Sequence, residues 1–420
     1  MAEPRLTRLS YRLLLDAAGF RHGIVAPVEE AVATFADIDG IANVNIPGEG
    51  RADEAAGGGV ARDREEATVR AIGEALERYA AAIASLPLRT ISELRGAEVL
   101  GADEFALFSE EQRRAPSFPW PSPSNSDVYT NVYCLFDNRE VWVPHELVSL
   151  GSRVEHATFP STSSGLAAHK SPWLALLSAL EELLERDALT VAWHNALGGH
   201  EVVLDDAWRA PVLARGGEVE CFELTQAWNP HPVIVVCGQI PLRGRKRFAL
   251  GAACRATREA ATEKAWLEFL QGVIFAGFYA NARPDLSLAS GRDVREFPEH
   301  CVYYMLRPEE WDALPLRRRR VRARPARVEP APESPEARLE RLVRALHHAG
   351  IRAFYRDLTT VDVASLGITV VRAVSPELSL LHGDERYPFL GGRTRDIAWR
   401  WPNAAASDLP FPNPYPHPLG

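Results

Sequence analysis

Cysteine is scarce in this chain. The five residues Cys134, Cys221, Cys237, Cys254 and Cys301 are odd in number, scattered through 420 positions, and never spaced as C-x-x-C. They signal neither a disulfide framework nor a cysteine zinc site, and they fit a reducing cytosol. The N-terminus lacks a basic region leading into an apolar run, so no secretory signal is expected. No stretch nears the roughly 20 apolar residues of a membrane-spanning helix. Positive charge is also in deficit, with 47 Lys and Arg against 56 Asp and Glu for a net charge of −9, which argues against nucleic-acid binding through a global positive field. There is no phosphate-loop pattern G-x-x-x-x-G-K-S/T, and Gly57-Gly58-Gly59 is not a G-x-G-x-x-G after a strand, so neither nucleotide fingerprint is present. What remains is an ordinary globular composition, 46% hydrophobic and 25% charged, long enough for two domains or one large one.

Along the chain, apolar runs broken by Pro27, Pro47 and Gly48 suit strands and loops at 20–50, and a helical pattern runs from about Asp63 to Ile83. Residues 127–148 read as a hairpin around Asp137-Asn138. Gly-then-helix segments follow at 164–195 and 251–272, with β-rich pieces at Val202 to Leu204 and Val233 to Cys237 between them. Residues 312–336, rich in Arg and Pro, read as an exposed connection whose arginines are solvated. An amphipathic helix over Pro335 to Gly350, strands at Ala353 to Tyr355 and Ile368 to Ala373, and a proline-rich tail complete the chain.

The most informative feature is a spacing that occurs three times: a capping residue, Ala four later, Ala four after that, Glu three later, then Glu or Gln three later. The copies are Asp63-Ala67-Ala71-Glu74-Glu77, Ser171-Ala175-Ala179-Glu182-Glu185 and Thr257-Ala261-Ala265-Glu268-Gln271. Asp, Ser and Thr start helices by accepting from the first free amides, and Pro172 suits the first turn. Residues three and four apart share a helical face, so each copy lines alanines up behind its carboxylates. The small alanines let another backbone come close. If the faces converge, five glutamates gather, and their repulsion asks for a cation. Magnesium, with its oxygen ligands and its habit of bridging carboxylates to phosphates, suits such a site better than zinc, with Arg186 and Lys264 available for phosphate charge.

The segments Gly57 to Tyr79, Ser163 to Asn195 with its Glu-Leu-Leu-Glu-Arg-Asp-Ala block, and Gly251 to Gln271 resemble the three ATP-site blocks of the YcaO family. Tyr355-Arg-Asp-Leu-Thr, Leu366-Gly-Ile-Thr-Val-Val-Arg and Tyr387-Pro-Phe-Leu-Gly-Gly-Arg resemble the C-terminal part of that domain. The resemblance implies an ATP-dependent cyclodehydratase of the azoline-forming branch, acting on backbone amides of a ribosomally made precursor peptide. It implies Glu74, Glu77, Glu182 and Glu185 as magnesium ligands. Ser164, Arg186, Lys264, Glu268 and Gln271 would lie at the nucleotide, with Arg186 and Glu268 also in catalysis. The expected architecture is a mixed α/β fold of the YcaO type, with mixed sheets around three helices that converge on the nucleotide, read as one catalytic domain over 1–420.

Pro412-Asn-Pro414-Tyr-Pro416-His-Pro418 resembles the proline-rich ending of the azoline-forming branch. There the tail (408–420 here) reaches the active site, which makes the carboxylate of Gly420 a candidate proton carrier. Four prolines at period two suit an extended, low-entropy segment delivered to a fixed place. The chain departs from the family in ending Leu419-Gly420, in Lys264 where arginine is expected, and in His169-Lys170. A separate leader-binding partner resembling ubiquitin-activating enzymes is expected, together with a flavin-dependent azoline dehydrogenase and a homodimeric core, in the cytoplasm, without nucleic acid or membrane. Thioamide or macroamidine formation, or a non-catalytic scaffold role, are the alternatives. His194 and Cys254 read as packing residues.

Overall fold

Each copy of the repeat folds as a strand followed by a helix. The computed structural model describes residues 11–19, 23–30, 41–48, 55–122, 127–151, 157–322, 333–405 and 407–419. In chain order the strands are β1 (Glu29–Glu30), β2 (Ala42–Ile46), β3 (Gly57–Ala61), β4 (Arg89–Thr90), β5 (Val128–Cys134), β6 (Glu140–Pro144), β7 (Leu166–His169), β8 (His200–Glu201), β9 (Glu218–Glu223), β10 (Val233–Leu242), β11 (Arg245–Cys254), β12 (Phe354–Asp357) and β13 (Thr369–Val374). The longer helices are α1 (Arg64–Ile83), α2 (Pro172–His194), α3 (Arg258–Ala282), α4 (Phe297–Leu306) and α5 (Pro335–His348). The repeat is thus β3–α1, β7–α2 and β11–α3.

All three expected caps are in place. Asp63 accepts from the Glu66 amide at 2.9 Å, Thr257 from Ala260 at 3.2 Å, and Ser171 from Leu174 at 3.5 Å. The alanine stripes are completely buried. A Cβ at Gly59 would lie 1.9 Å from the Ala67 carbonyl oxygen, one at Gly57 2.3 Å from that of Ala71, and one at Gly251 2.1 Å from that of Ala265. The first and third copies therefore pair glycines on a strand with alanines on the next helix, so that backbone meets backbone. Gly59→Ala has no flexible side chain to displace and is expected to destabilise the fold by at least about 1–3 kcal/mol in denaturant unfolding. An unchanged midpoint would refute this close approach.

The chain forms two compact units, Met1–Glu104 with Pro116–Leu180 and Ser334–Ser375, and Phe105–Ala115 with Glu181–Glu333 and Pro376–Gly420. Helix α2 belongs to the first up to Leu180 and to the second from Glu181. The first unit holds the sheet β1-β2-β3, and the sheet β4-β5-β12-β13-β7 with β6 on β5. The expected hairpin is β5–β6, with Asn138 at φ 57° in its turn. Helix α5, capped by Ser334, buries Leu339, Leu342, Val343 and Leu346, the amphipathic spacing expected. The second unit holds the sheet β11-β10-β9-β8, whose ten-residue strands β10 and β11 pair along their full length.

The α/β mixture is as expected, but all pairings between these strands are antiparallel, and parallel pairing is confined to isolated bridges. Val202 to Leu204 is not a strand: β8 stops at Glu201 and Val203 is exposed. The arginine-rich stretch is more structured than an exposed connection. Pro315–Arg318 is a short helix with Leu316 buried, and Arg317 and Arg320 pair with Glu220 of β9 at 2.6 Å each. Residues 323–332 lie outside the described residues.

Candidate active site

In the second unit, Glu182, Glu185 and Arg186 share one face of α2 by their spacing of three and four. Arg186 Nη2 lies 3.6 Å from Glu182 Oε1, and its Nε lies 3.5 Å from Glu185 Oε1. Glu185 is buried, and the Cys254 amide at the end of β11 donates to its Oε2 at 3.3 Å. On α3, Lys264 Nζ pairs with Glu268 Oε1 at 2.6 Å. The five groups share one electrostatic environment. Burial pushes Glu185 up to about 7, Lys264 and Arg186 pull it down, and Glu268 and Glu182 push it up. A buried carboxyl left partly protonated at neutral pH, beside two more carboxylates, is a set of hard oxygen donors short of positive charge. These residues fit a magnesium ion with its nucleotide phosphates.

The raised value has a consequence for stability. The unfolded chain releases the Glu185 proton near 4.5 and the folded chain near 7. Between these values the folded state holds more protons, so the stability of metal-free protein falls as pH rises through the window, by up to about 1.4 kcal/mol per unit. Denaturant unfolding across that range is expected to show the fall, and Glu185→Gln to flatten it.

In the first unit, Glu74 of α1 accepts from the Gly58 amide at 2.8 Å and from Arg78 at 2.6 Å, and Glu77 is half-buried one turn on. Ser164 is buried just before Gly165, whose φ of 84° makes the turn into β7. Gln271 is half-buried on α3, one turn past Glu268. The structure therefore gathers Glu182, Glu185, Arg186, Lys264 and Glu268 in one unit, and places Glu74, Glu77 and Ser164 in the other. Gly420 lies outside the described residues.

Other members of the neighbourhood fall outside the carboxylate positions of the repeat. Buried Glu181 holds His231 Nδ1 at 2.9 Å and Arg255 Nη1 at 3.2 Å. The Arg255 guanidinium is held above its usual range by Glu181, Glu185 and Glu268, against the opposing effect of burial. Asp187 is fully buried in a two-pronged pair with Arg400, at 2.6 and 2.9 Å, and also accepts from the Ser379 amide at 2.8 Å. This pair fixes α2 directly beside Arg186. Asp187→Ala leaves a buried guanidinium uncompensated and is expected to cost about 3–5 kcal/mol in unfolding measurements, and a loss below 1 kcal/mol would contradict that role. Cys254 is buried with its thiol well above the usual range, and His194 is buried and pushed down to about 3 by burial and by His382, as packing residues would be.

The proline-rich tail is held inside the second unit. The Asn413 amide donates to the His194 carbonyl at 2.9 Å, Trp193 Nε1 to the Tyr415 carbonyl at 2.7 Å, and the Tyr304 hydroxyl to the Pro416 carbonyl at 2.5 Å. Its anchors on α2 stand about two helical turns beyond Arg186.

A family model described as YcaO cyclodehydratase, ATP- and Mg2+-binding, matches residues 58–379. No curated protein matches the sequence. Among solved structures, a heterocyclase in complex with substrate and cofactor aligns at TM-score 0.72 and 18% identity, over 97% of this chain and 57% of that one. The chain thus spans little more than half of that protein. YcaO from Methanopyrus kandleri, bound with AMPPCP and Mg2+, aligns at 0.62 and 18% identity over 98% of this chain and 96% of its own. A chain of the E. coli microcin synthetase complex aligns at 0.60 and 13% identity, over 84% and 90%. Likeness at these identities is likeness of fold. Among the described residues, no helix is long and apolar enough to cross a membrane. With the family match running over three quarters of the sequence and through all three strand–helix blocks, the chain belongs to the YcaO family.

Proposed function

We propose that the chain is an ATP-dependent cyclodehydratase that converts Cys, Ser or Thr residues of a precursor peptide into azolines, working as one catalytic domain. The observation that carries this reading is the buried Glu185, set among Glu182, Glu268, Arg186 and Lys264 in a chain of this family. By resemblance to the family, Glu74, Glu77, Glu182 and Glu185 would hold magnesium, Arg186 and Lys264 would offset phosphate charge, and Ser164, Glu268 and Gln271 would orient the nucleotide. When bound, ATP with its magnesium turns the amide oxygen of the peptide into a phosphate leaving group, which an amide otherwise lacks. The chain's own work is to place that oxygen and to restrain the groups around it. Glu185, held by the Cys254 amide, and Arg186, beside the Asp187–Arg400 pair, are fixed before substrate arrives. Lys264, tied to Glu268, brings a point charge rather than a planar fork.

The anchored tail supports the azoline-forming branch over thioamide or macroamidine formation, since it is delivered to the helix that carries Arg186. A leader-binding partner, and a flavin-dependent dehydrogenase acting on the azolines, complete the proposed system, with two copies of this chain at its core in the cytoplasm. The test is to combine this chain, its partner, precursor peptide and ATP with magnesium. The expected product is lighter by one water per ring, with one ATP consumed per ring. Unchanged precursor in the presence of the true partner would overturn the proposal.

A further inference from the structure

The second unit buries a group of imidazoles that the ATP chemistry does not use. His300 on α4, His382 and Glu385 in the segment after β13, and His417 in the tail each offer one donor atom, and these four atoms lie within 4.8 Å of one another. The side chains are 0, 2, 12 and 1% exposed in that order. His300 Nε2 is 3.1 Å from Glu385 Oε1, and His382 Nε2 is 3.3 Å from Glu385 Oε2. The ligands of a tetrahedral ion with bonds near 2.0–2.1 Å stand about 3.3 Å apart, so only a small contraction separates this arrangement from a closed coordination shell.

Two further features point to an ion. A metal-bound imidazole normally presents its other nitrogen to a carbonyl or carboxylate. His300 Nδ1 lies 3.1 Å from the Glu296 carbonyl, and His417 Nε2 lies 2.9 Å from the His382 carbonyl, which leaves His300 Nε2 and His417 Nδ1 for the centre. Secondly, His417 Nδ1 and His382 Nδ1 are buried without a hydrogen-bond partner. An orphaned buried nitrogen costs about 1–3 kcal/mol, and a cation would satisfy it. The rings of His300 and His417 stack at 4.0 Å, which disfavours charging both.

We propose that His300, His382, Glu385 and His417 form a structural site for one divalent transition-metal ion, which fastens the C-terminal tail into the second unit. Three nitrogens and one carboxylate select zinc over magnesium, which takes oxygen ligands, and four protein donors, three of them buried imidazoles, make a closed site rather than a catalytic one. The site is independent of the nucleotide chemistry.

The test uses the full chain, freed of any affinity tag and analysed for metal by mass spectrometry. One zinc per chain is expected, retained in excess magnesium. After stripping, added Co2+ is expected to give the visible absorption of a tetrahedral site, lost when one equivalent of Zn2+ is added. His417→Gln and His300→Gln are expected to weaken zinc binding by at least about 10–100-fold, while Glu182→Gln leaves it unchanged. Should the chain purify without zinc and the stripped form give no tetrahedral Co2+ spectrum, the four side chains are a metal-free hydrogen-bonded cluster and the proposal fails. It fails equally if His417→Gln binds zinc as tightly as the parent.

Discussion

Exchanging Glu185 for glutamine is expected to lower ATP-dependent ring formation by about 100-fold or more while leaving the protein as stable at neutral pH as the parent, or more so. The two effects diverge for one physical reason. Burial and the neighbouring Glu182 and Glu268 disfavour a charge at this position and hold its pKa up to about 7, so the neutral amide removes a cost of folding. The same exchange removes an anionic oxygen from the proposed magnesium site, and even outer partners of metal ligands carry effects of about 10–100-fold. Glutamine can still accept from the Cys254 amide, so local geometry survives. Product mass and denaturant unfolding, measured on one preparation, separate the readings. A stable Glu185→Gln protein with undiminished turnover would remove Glu185 from the site.

Ending the chain after Phe411 is expected to abolish ring formation, with a loss of at least about 100-fold, while ATP with magnesium still binds. The tail is embedded: Pro416, His417, Pro418 and Leu419 are buried, and Trp193, Tyr304 and Glu385 each bond to it. Truncation leaves the Trp193 and Tyr304 donors without these partners, at about 1–3 kcal/mol each, so a parallel unfolding curve is needed. Lost product with retained nucleotide binding in folded protein supports the azoline-forming reading. Full activity without the tail would favour another amide activation.

How far the sequence was legible depended on how local each cause was. Caps, amphipathic spacing and the hairpin are decided within a few residues, and Asp63, Thr257, Ser334 and the β5–β6 turn behaved accordingly. The repeat identified Glu182, Glu185 and Glu268 because helical periodicity ties them to the alanine stripes. In the first and third copies the alanines face strand glycines, a fit of backbone on backbone that spacing along one helix does not encode. Interactions across long separations left no trace in the sequence. Glu181 meets His231 and Arg255 fifty and seventy-four residues away, and Asp187 meets Arg400 over two hundred residues along the chain. The arginine stretch misled for a related reason: its charges are answered by Glu220 and Glu201 on strands that composition alone does not place beside it.

In the proposed reaction the amide oxygen of the peptide departs on the phosphate released from ATP. The most direct measurement is to label that carbonyl with the heavy isotope of oxygen in a precursor peptide, run the reaction with the chain and its partner, and weigh the phosphate. One labelled oxygen is expected in each phosphate, in step with ring formation. Ring formation with unlabelled phosphate and the heavy oxygen in water would contradict it.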